Sequence, residues 1–342
     1  MQHRVGTLNA RRLLSVGGFY VVLILLVIFF AATSRQFLTL SNMRDLFLSA
    51  APLMAVTAGM GLLLIAGSLD LSVAGVALAC GSVLVALLRA GVPPWAALII
   101  MLTLGAALGS VNGFLVNVLG TDAMLTTLGM MILLRGVSYP ITGGWVVPIK
   151  DAVKNAALGT PAFFPNIVWV AIGIMIVVQV VLAKTVFGRR IVALGSSQQA
   201  ARQMGVRIKR MRFALFTISG VCASMAGLFF VTKVGSVDSQ TGTGTEFVAL
   251  AALVLGGVSL DGGRGSIIPG AFLGVLMLGI IENGMYLVTA SPYAFPVIRG
   301  LIIFVAAAGY ALAARSGRLP VPLARGGSFG KKASGAAANL DT

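Results

Sequence analysis

Apolar runs of roughly the length of a bilayer crossing recur along the chain, separated by short polar or glycine-rich breaks. They fall at 15–33, 46–66, 73–89, 95–118, 123–142, 167–184, 213–232, 245–260, 266–289 and 295–314. About 20 apolar residues rising 1.5 Å each cross a hydrocarbon layer of about 30 Å. The pattern therefore predicts an all-α integral membrane protein of about ten transmembrane helices. The runs 73–89 and 245–260 are short, and the breaks 66–72 and 256–265 contain glycine. Half-helices or re-entrant segments are the alternatives to full crossings there, because unwound backbone survives at membrane depth only where protein or water satisfies it. The chain divides into an amino tail (1–14), a transmembrane domain (15–314) interrupted by a polar loop (185–212), and a tail (315–342) rich in Gly, Ala and Pro that is expected to be disordered. Arg4, Arg11 and Arg12 ahead of the first run give it the look of a signal peptide; it is read as an uncleaved first span.

Composition removes the soluble alternatives. The 342 residues are 58% hydrophobic and 10% charged, with a mean hydropathy of +1.00, too little charge to cover the surface of a water-soluble domain. The 43 glycines exceed the usual share of about 7%, which in a membrane protein points to closely packed and broken helices. Gly105, Gly109 and Gly113 share one helix face and are expected to pack inside the subunit, with Asn112 beside them facing a neighbouring helix or a pore. Residues 67–91 and 258–284 echo each other: each places Ser-Leu-Asp ahead of a glycine-spaced apolar run. Duplicated halves and a chance match within low-complexity hydrophobic sequence both account for that echo.

The net charge of +16 would suggest nucleic acid if it formed one face of a polar protein, but the basic residues sit in short loops, so nucleic acid is not an expected partner. In the predicted topology, seventeen Lys and Arg fall on the side of the amino terminus and six on the other, with Arg135 and Arg299 inside spans. The excess places both termini and the 184–212 loop in the cytoplasm. Arg135 lies near the outer end of its span, where snorkelling to the interface and pairing are both open to it.

Reactive chemistry is sparse. The sole histidine is His3, so neither a catalytic triad nor a metal cluster is expected within the membrane. No catalytic residue, metal site or cofactor is predicted. Cys80 and Cys222 lie inside apolar runs and read as small buried side chains. GGSFGKK at 326–332 lacks the spacing of a phosphate-binding loop, so any ATP would be bound by another chain.

The strongest polar feature is FGRRIVALGSSQQAARQMGVRIKRMR (187–212), with seven basic residues and no acid. Within it SSQQAARQMG reads as a short helix capped by Ser196 or Ser197, with Ala200, Ala201 and Met204 as a small apolar face and Gly205 as its stop. So small a face suits a groove on a soluble partner better than a lipid surface, which favours bulky side chains.

Five stretches together resemble the permease subunits of ribose-type sugar ABC importers, a family that includes autoinducer-2 permeases. They are GMGLLLIAGSLDLSVAG (59–75), TLGMMILLRGVSYPITGG (127–144), TVFGRRIVALGSSQQAARQMGVRIKRMRFALFTISGVCASMAGL (185–228), TGTGTEFVALAALVLGGVSLDGGRGS (241–266) and IENGMYL (281–287). The resemblance implies a permease of the bacterial inner membrane that works with cytoplasmic ABC ATPase subunits, a second permease subunit and a periplasmic solute-binding protein. It implies that Gly195, Ser196, Gln198, Ala200, Ala201 and Gly205 couple to the ATPase, with the basic flanks held by membrane lipid. Composition alone also permits an ion-coupled secondary transporter, which would call for ionisable pairs near the bilayer centre.

Along a solute path the candidates are Asp70, Asn112, Glu246, Glu282 and Asn283. Each has a second reading. Asp70 or Ser68 can cap the helix that follows the break, Glu246 can complement a helix dipole, and Glu282 with Asn283 can mark the water interface. The family often carries Glu-x-Asp at the Glu246 turn, whereas Val248 stands two residues on.

Overall fold

The computed structural model describes residues 19–143, 145–149, 151–160 and 163–288, with scattered positions between 294 and 308. The two tails, and the predicted tenth span apart from those scattered positions, lie outside the described residues. The helices are α1 (Phe19–Thr33), α2 (Leu40–Ile65), α3 (Val73–Arg89), α4 (Pro94–Asn117), α5 (Ala123–Thr142), α6 (Asp151–Leu158), α7 (Asn166–Lys184), α8 (Val186–Ser196), α9 (Gln198–Gln203), α10 (Ile208–Val234), α11 (Thr245–Leu255) and α12 (Phe272–Leu287), the last entered through a π-turn at Ile267–Ala271. Two short strands, β1 (Val147–Pro148) and β2 (Ser236–Val237), pair antiparallel. Among the described residues six helical stretches are long and apolar enough to cross a membrane, and α1, α3 and α11 are shorter apolar helices. Six of the ten expected crossings are thus full-length helices among the described residues, and three more coincide with the shorter α1, α3 and α11.

The connections sort into two ends of the bundle. At one end the break after α2, the α8–α9 elbow and the 256–266 loop meet: the Gly263 amide donates to the Ile65 carbonyl at 2.7 Å. At the opposite end β1 pairs with β2 and the Arg44 Nε donates to the Phe163 carbonyl at 2.7 Å. α8 and α9 interrupt the bundle as short amphipathic pieces, because Thr185 and Ser197 each cap a new helix start with a side-chain oxygen.

Helix α10 is the centre, packed against α2, α3 and α4. Glycine makes each contact close. A Cβ at Gly109 would strike the Phe216 carbonyl, one at Gly220 the Gly105 carbonyl, one at Gly227 the Ala77 carbonyl, and one at Gly59 would lie 2.9 Å from the Ser219 Cα. Gly105, Gly109 and Gly113 pack inside the subunit, as their spacing on α4 predicts. In lipid, where apolar surface gains little by leaving the solvent, such backbone approach supplies the dispersion contacts that hold helices together. By contrast, the exposed face of α5 carries Gly129 and Gly136, around which nothing lies within 4 Å.

Helix α11 has 11 residues, about 16 Å of rise, roughly half a crossing. It ends at Gly256, which is pressed against the Gly270 carbonyl. Before it, the 238–244 turn reaches inward until Gly242 lies beside Phe230 and the Ala74 carbonyl, on the first turn of α3. The run predicted at 245–260 is therefore a half-helix, which with the 238–244 turn before it leads from the β1–β2 end to the α8–α9 end. The run at 73–89 is α3 itself, and the unwound 66–72 segment completes its path.

Replacing Gly109 by Leu is expected to cost on the order of 3 kcal/mol through overpacking of α4 on α10, whereas Gly129→Leu leaves stability unchanged. Cys80 and Cys222 are free and buried, so thermal unfolding in detergent followed by a thiol-reactive dye reads both outcomes.

Candidate functional site

The polar groups predicted for a solute path occupy three separate places. The first is the unwound segment between α2 and α3. α2 closes at Gly67, whose positive φ of 72° lets its amide and that of Ser68 bond back to the Leu64 and Leu63 carbonyls. The chain then re-enters the bundle. Asp70 is only 1% exposed; its Oδ1 accepts from the Ser72 amide at 3.0 Å and the Ser72 hydroxyl at 2.6 Å, and its Oδ2 accepts from the Ser219 hydroxyl at 2.7 Å. Asn112 donates to the Ser72 Oγ at 2.8 Å, and the Thr127 Oγ1 accepts from the Leu71 amide at 3.0 Å. Asp70 and Thr127 of α5 thus satisfy backbone amides that have left the helix, and Asn112 of α4 and Ser219 of α10 hold the Ser72 and Asp70 side chains in place. Asp70 turns the chain ahead of α3 rather than capping it. Asn112 faces neighbouring elements, with its Oδ1 buried and without a partner.

The second place is the start of α11. Glu246 is buried at 3% exposure in the first turn after Gly244, whose φ is 79°. Arg135 of α5 is close enough for its charge to act on Glu246. Its Nη1 donates to the Thr243 Oγ1 at 2.7 Å, where the 238–244 turn meets α5. The two charged groups stop short of an ion pair. Arg135 Nη2 and Glu246 Oε2 are both buried without hydrogen-bond partners, as few buried polar atoms are.

A third set lies at the end opposite α8–α9, in a cavity of about 810 Å³ lined by Asn42, Asp45, Lys233, Glu282, Asn283 and Tyr286 at its polar side and by Leu53, Val248 and Val275 among its apolar residues. Asn42 and Asn283 exchange side-chain hydrogen bonds at 2.8 and 2.9 Å. Val248 adds to the apolar side of this wall.

At the other end, the predicted short helix is α9. Ser197 is its cap, accepting from the Ala200 amide at 3.2 Å, and Gly205 ends it with φ 75°. Ser196 instead belongs to α8, donating to the Val192 carbonyl at 2.8 Å. The expected Ala200, Ala201 and Met204 face is divided: Ala201 is fully buried, while Gln198, Ala200 and Met204 are exposed. Gly195 is wedged at the junction of both breaks, where a Cβ would strike the Ile65 carbonyl and the Gly263 amide. A second link joins α7 to the start of α12: Gln179 Oε1 accepts from the Ile267 and Ile268 amides at 2.9 and 3.0 Å. Ser219, Thr127, Thr243 and Gln179 had escaped sequence reasoning. A lone polar side chain in an apolar run was their only signal.

Comparison with known proteins gives these features a context. Residues 42–307 match the family described as branched-chain amino acid transport system / permease component. The chain is 36% identical over 291 residues to the L-arabinose transport system permease protein AraH of Escherichia coli (strain K12), covering 84% of this chain and 88% of that one. It is 35% identical over 286 residues to the autoinducer 2 import system permease protein LsrC of Salmonella typhi, covering 83% and 82%, and 34% identical over 270 residues to LsrC of Photorhabdus luminescens, covering 79% and 81%. No solved structure matches the chain.

The Asp70 network carries a stability prediction. Asp70→Ala leaves the Ser72 amide and two hydroxyls without their acceptor and is expected to cost on the order of 3 kcal/mol. Asp70→Asn keeps one acceptor oxygen and loses about 1 kcal/mol, the Ser219 hydroxyl turning to accept. Thermal unfolding of the two purified variants separates the outcomes.

Proposed function

This chain belongs to the branched-chain amino acid transport system / permease component family, and from that premise we propose that it is the membrane-spanning subunit of an ABC importer for a sugar or sugar-like solute. The observation that carries the coupling part of this reading is the junction at Gly195. One end of the bundle presents a short helix that exposes every residue but Ala201, Gln198 and Ala200 among them, and behind it the α8 elbow touches the breaks after α2 and after α11 at once. A cytoplasmic ATPase that grips α9 acts on both breaks through one rigid contact. Two such permease subunits frame the path, and a periplasmic binding protein delivers the solute. The excess of basic residues supports a cytoplasmic location for the α8–α9 end and both termini.

Sugar-like cargo is supported by the named relatives and by the polar groups along the bundle. Glu282 and Asn283 stand in the cavity at the proposed outer end. Glu246 and Arg135, half a crossing further in, offer one unfilled acceptor and one unfilled donor. Asp70 and Asn112 brace the unwound segment beside the path, and the few remaining intramembrane charges leave a passing solute loosely held.

Affinity purification of the tagged chain from native membranes in mild detergent tests the reading. An ATP-binding-cassette ATPase is expected to copurify with the parent and to be lost from Ala200→Glu, which alters only the exposed side of α9. Absence of any such ATPase from the parent under several gentle conditions overturns the importer assignment. In cells expressing the complete system, Glu246→Gln and Arg135→Gln are each expected to lower uptake of the solute carried, L-arabinose being the first to assay, by about tenfold, with the ATPase still copurifying.

A further inference from the structure

We propose that the cavity between α9, the start of α10 and the end of α4 binds the phosphate group of an anionic phospholipid and so ties the α9 helix to the bilayer. Its volume is about 500 Å³, and Arg202, Arg207, Lys209, Arg210 and Arg212 line it together with Asn117, with no carboxylate among the lining residues. Like charges converge there. Arg202 on α9 is close enough for its charge to be felt at Arg212 on α10, and the Arg212 Nε is buried without a hydrogen-bond partner. Cations held together at a protein surface without an acid between them call for an external anion, and an oxyanion offers the bidentate acceptor that arginine side chains fit.

The level of the cavity identifies the source of that anion. Arg212 lies in the first turns of α10 and Asn117 is the last residue of α4, so the floor stands where two membrane-length helices end, at headgroup height. Val116, Val206 and Ile208 also line it, an apolar border that suits the glycerol and upper acyl region of a lipid and offers nothing to free phosphate. The Gly205 turn is what folds Arg207 back toward Arg202: its positive φ lets the Val206 amide bond the Ala201 carbonyl at 3.0 Å. A bound phosphodiester would bridge Arg202, the one basic residue in α9, to the base of the central helix. The site rests on the reading of α9 as the ATPase contact only for its consequence, a coupling that depends on lipid; the binding itself does not need the ATPase.

The test uses the full-length permease in nanodiscs of phosphatidylcholine with or without phosphatidylglycerol, followed by native mass spectrometry of retained lipid. The parent is expected to retain phosphatidylglycerol selectively, and Arg202→Gln/Arg207→Gln/Arg212→Gln to lose that selectivity by about tenfold or more, each cation near an anionic lipid contributing on the order of fivefold. Arg189→Gln/Arg190→Gln, at the same end on α8, retains it. Equal retention by the parent and the triple variant overturns the proposal. Stabilisation of the parent by inorganic phosphate in phosphatidylcholine discs, with no selectivity for phosphatidylglycerol, assigns the site to the free ion and overturns the lipid source. Weaker ATPase copurification by the triple variant in phosphatidylcholine alone, with lipid retention unchanged, makes the cluster an ATPase contact and equally overturns it. If no ATPase accompanies even the parent, the lipid measurement still stands by itself.

Discussion

The close approach of α10 to three neighbours is the constraint on which the bundle depends. In water a helix can be held at a distance by interdigitating large side chains, since burying them is favourable in itself. Between helices in lipid that gain is absent, and contact must come from short backbone separations. α10 meets α4 through Gly105, Gly109 and Gly220, α3 through Gly227, and α2 through Gly59. Because the three contacts share one helix, α2, α3 and α4 are positioned relative to each other by it. The Ser219 hydroxyl, one residue from Gly220, therefore reaches Asp70 at 2.7 Å without any strain-bearing loop to guide it.

That arrangement allows the chain to leave the helix twice. Both interruptions are costly where water is scarce, since each frees backbone groups that need partners, and the two are handled differently. After α2 the backbone is satisfied by side chains, Thr127 of α5 for the Leu71 amide and Asp70 of the segment itself for the Ser72 amide. After α11 the break stays at the end of the bundle, where the Ser259 amide bonds the Arg264 carbonyl within its own turn and Gly263 bonds Ile65. The internal echo of Ser-Leu-Asp is thus topological: each copy follows a helix running to the α8–α9 end and precedes one running back, but Asp70 is buried and Asp261 is exposed.

Much of this was legible from hydrophobic pattern alone, for a physical reason. A span's length is fixed by membrane thickness, so α3 matches its predicted run of 73–89, and α4 differs by one residue at either end. What escaped were features set by distant partners. The run 245–260 is cut at Leu255 by the contact between Gly256 and Gly270, and Arg135, placed by counting along α5, is claimed by Thr243 from the 238–244 turn, 108 positions later. Ala201 was grouped with Ala200 because six residues of helix are too few for periodicity to tell the inner side from the outer. Among the proposed path residues, charge within apolar sequence located Asp70 and Glu246, but nothing local distinguishes a bracing carboxylate with three donors from one with an unfilled oxygen.

This distinction bears on how movement at one end can reach the other. Gly195 contacts Ile65 and the Gly262–Gly263 turn through backbone atoms alone, and backbone contacts do not yield by changing rotamer, so a shift of α8 moves both turns. From Ile65 the chain leads within five residues to Asp70 and the α10–α4 network. From Gly263 it leads through the π-turn, pinned to α7 by Gln179, into α12 and on to Glu282. Interfaces packed this tightly have discrete arrangements rather than continuous deformation. The unwound segments, held by hydrogen bonds that can be exchanged for others, are where such a change can be absorbed with the least loss of packing, while the glycine-packed helices around α10 move as one body.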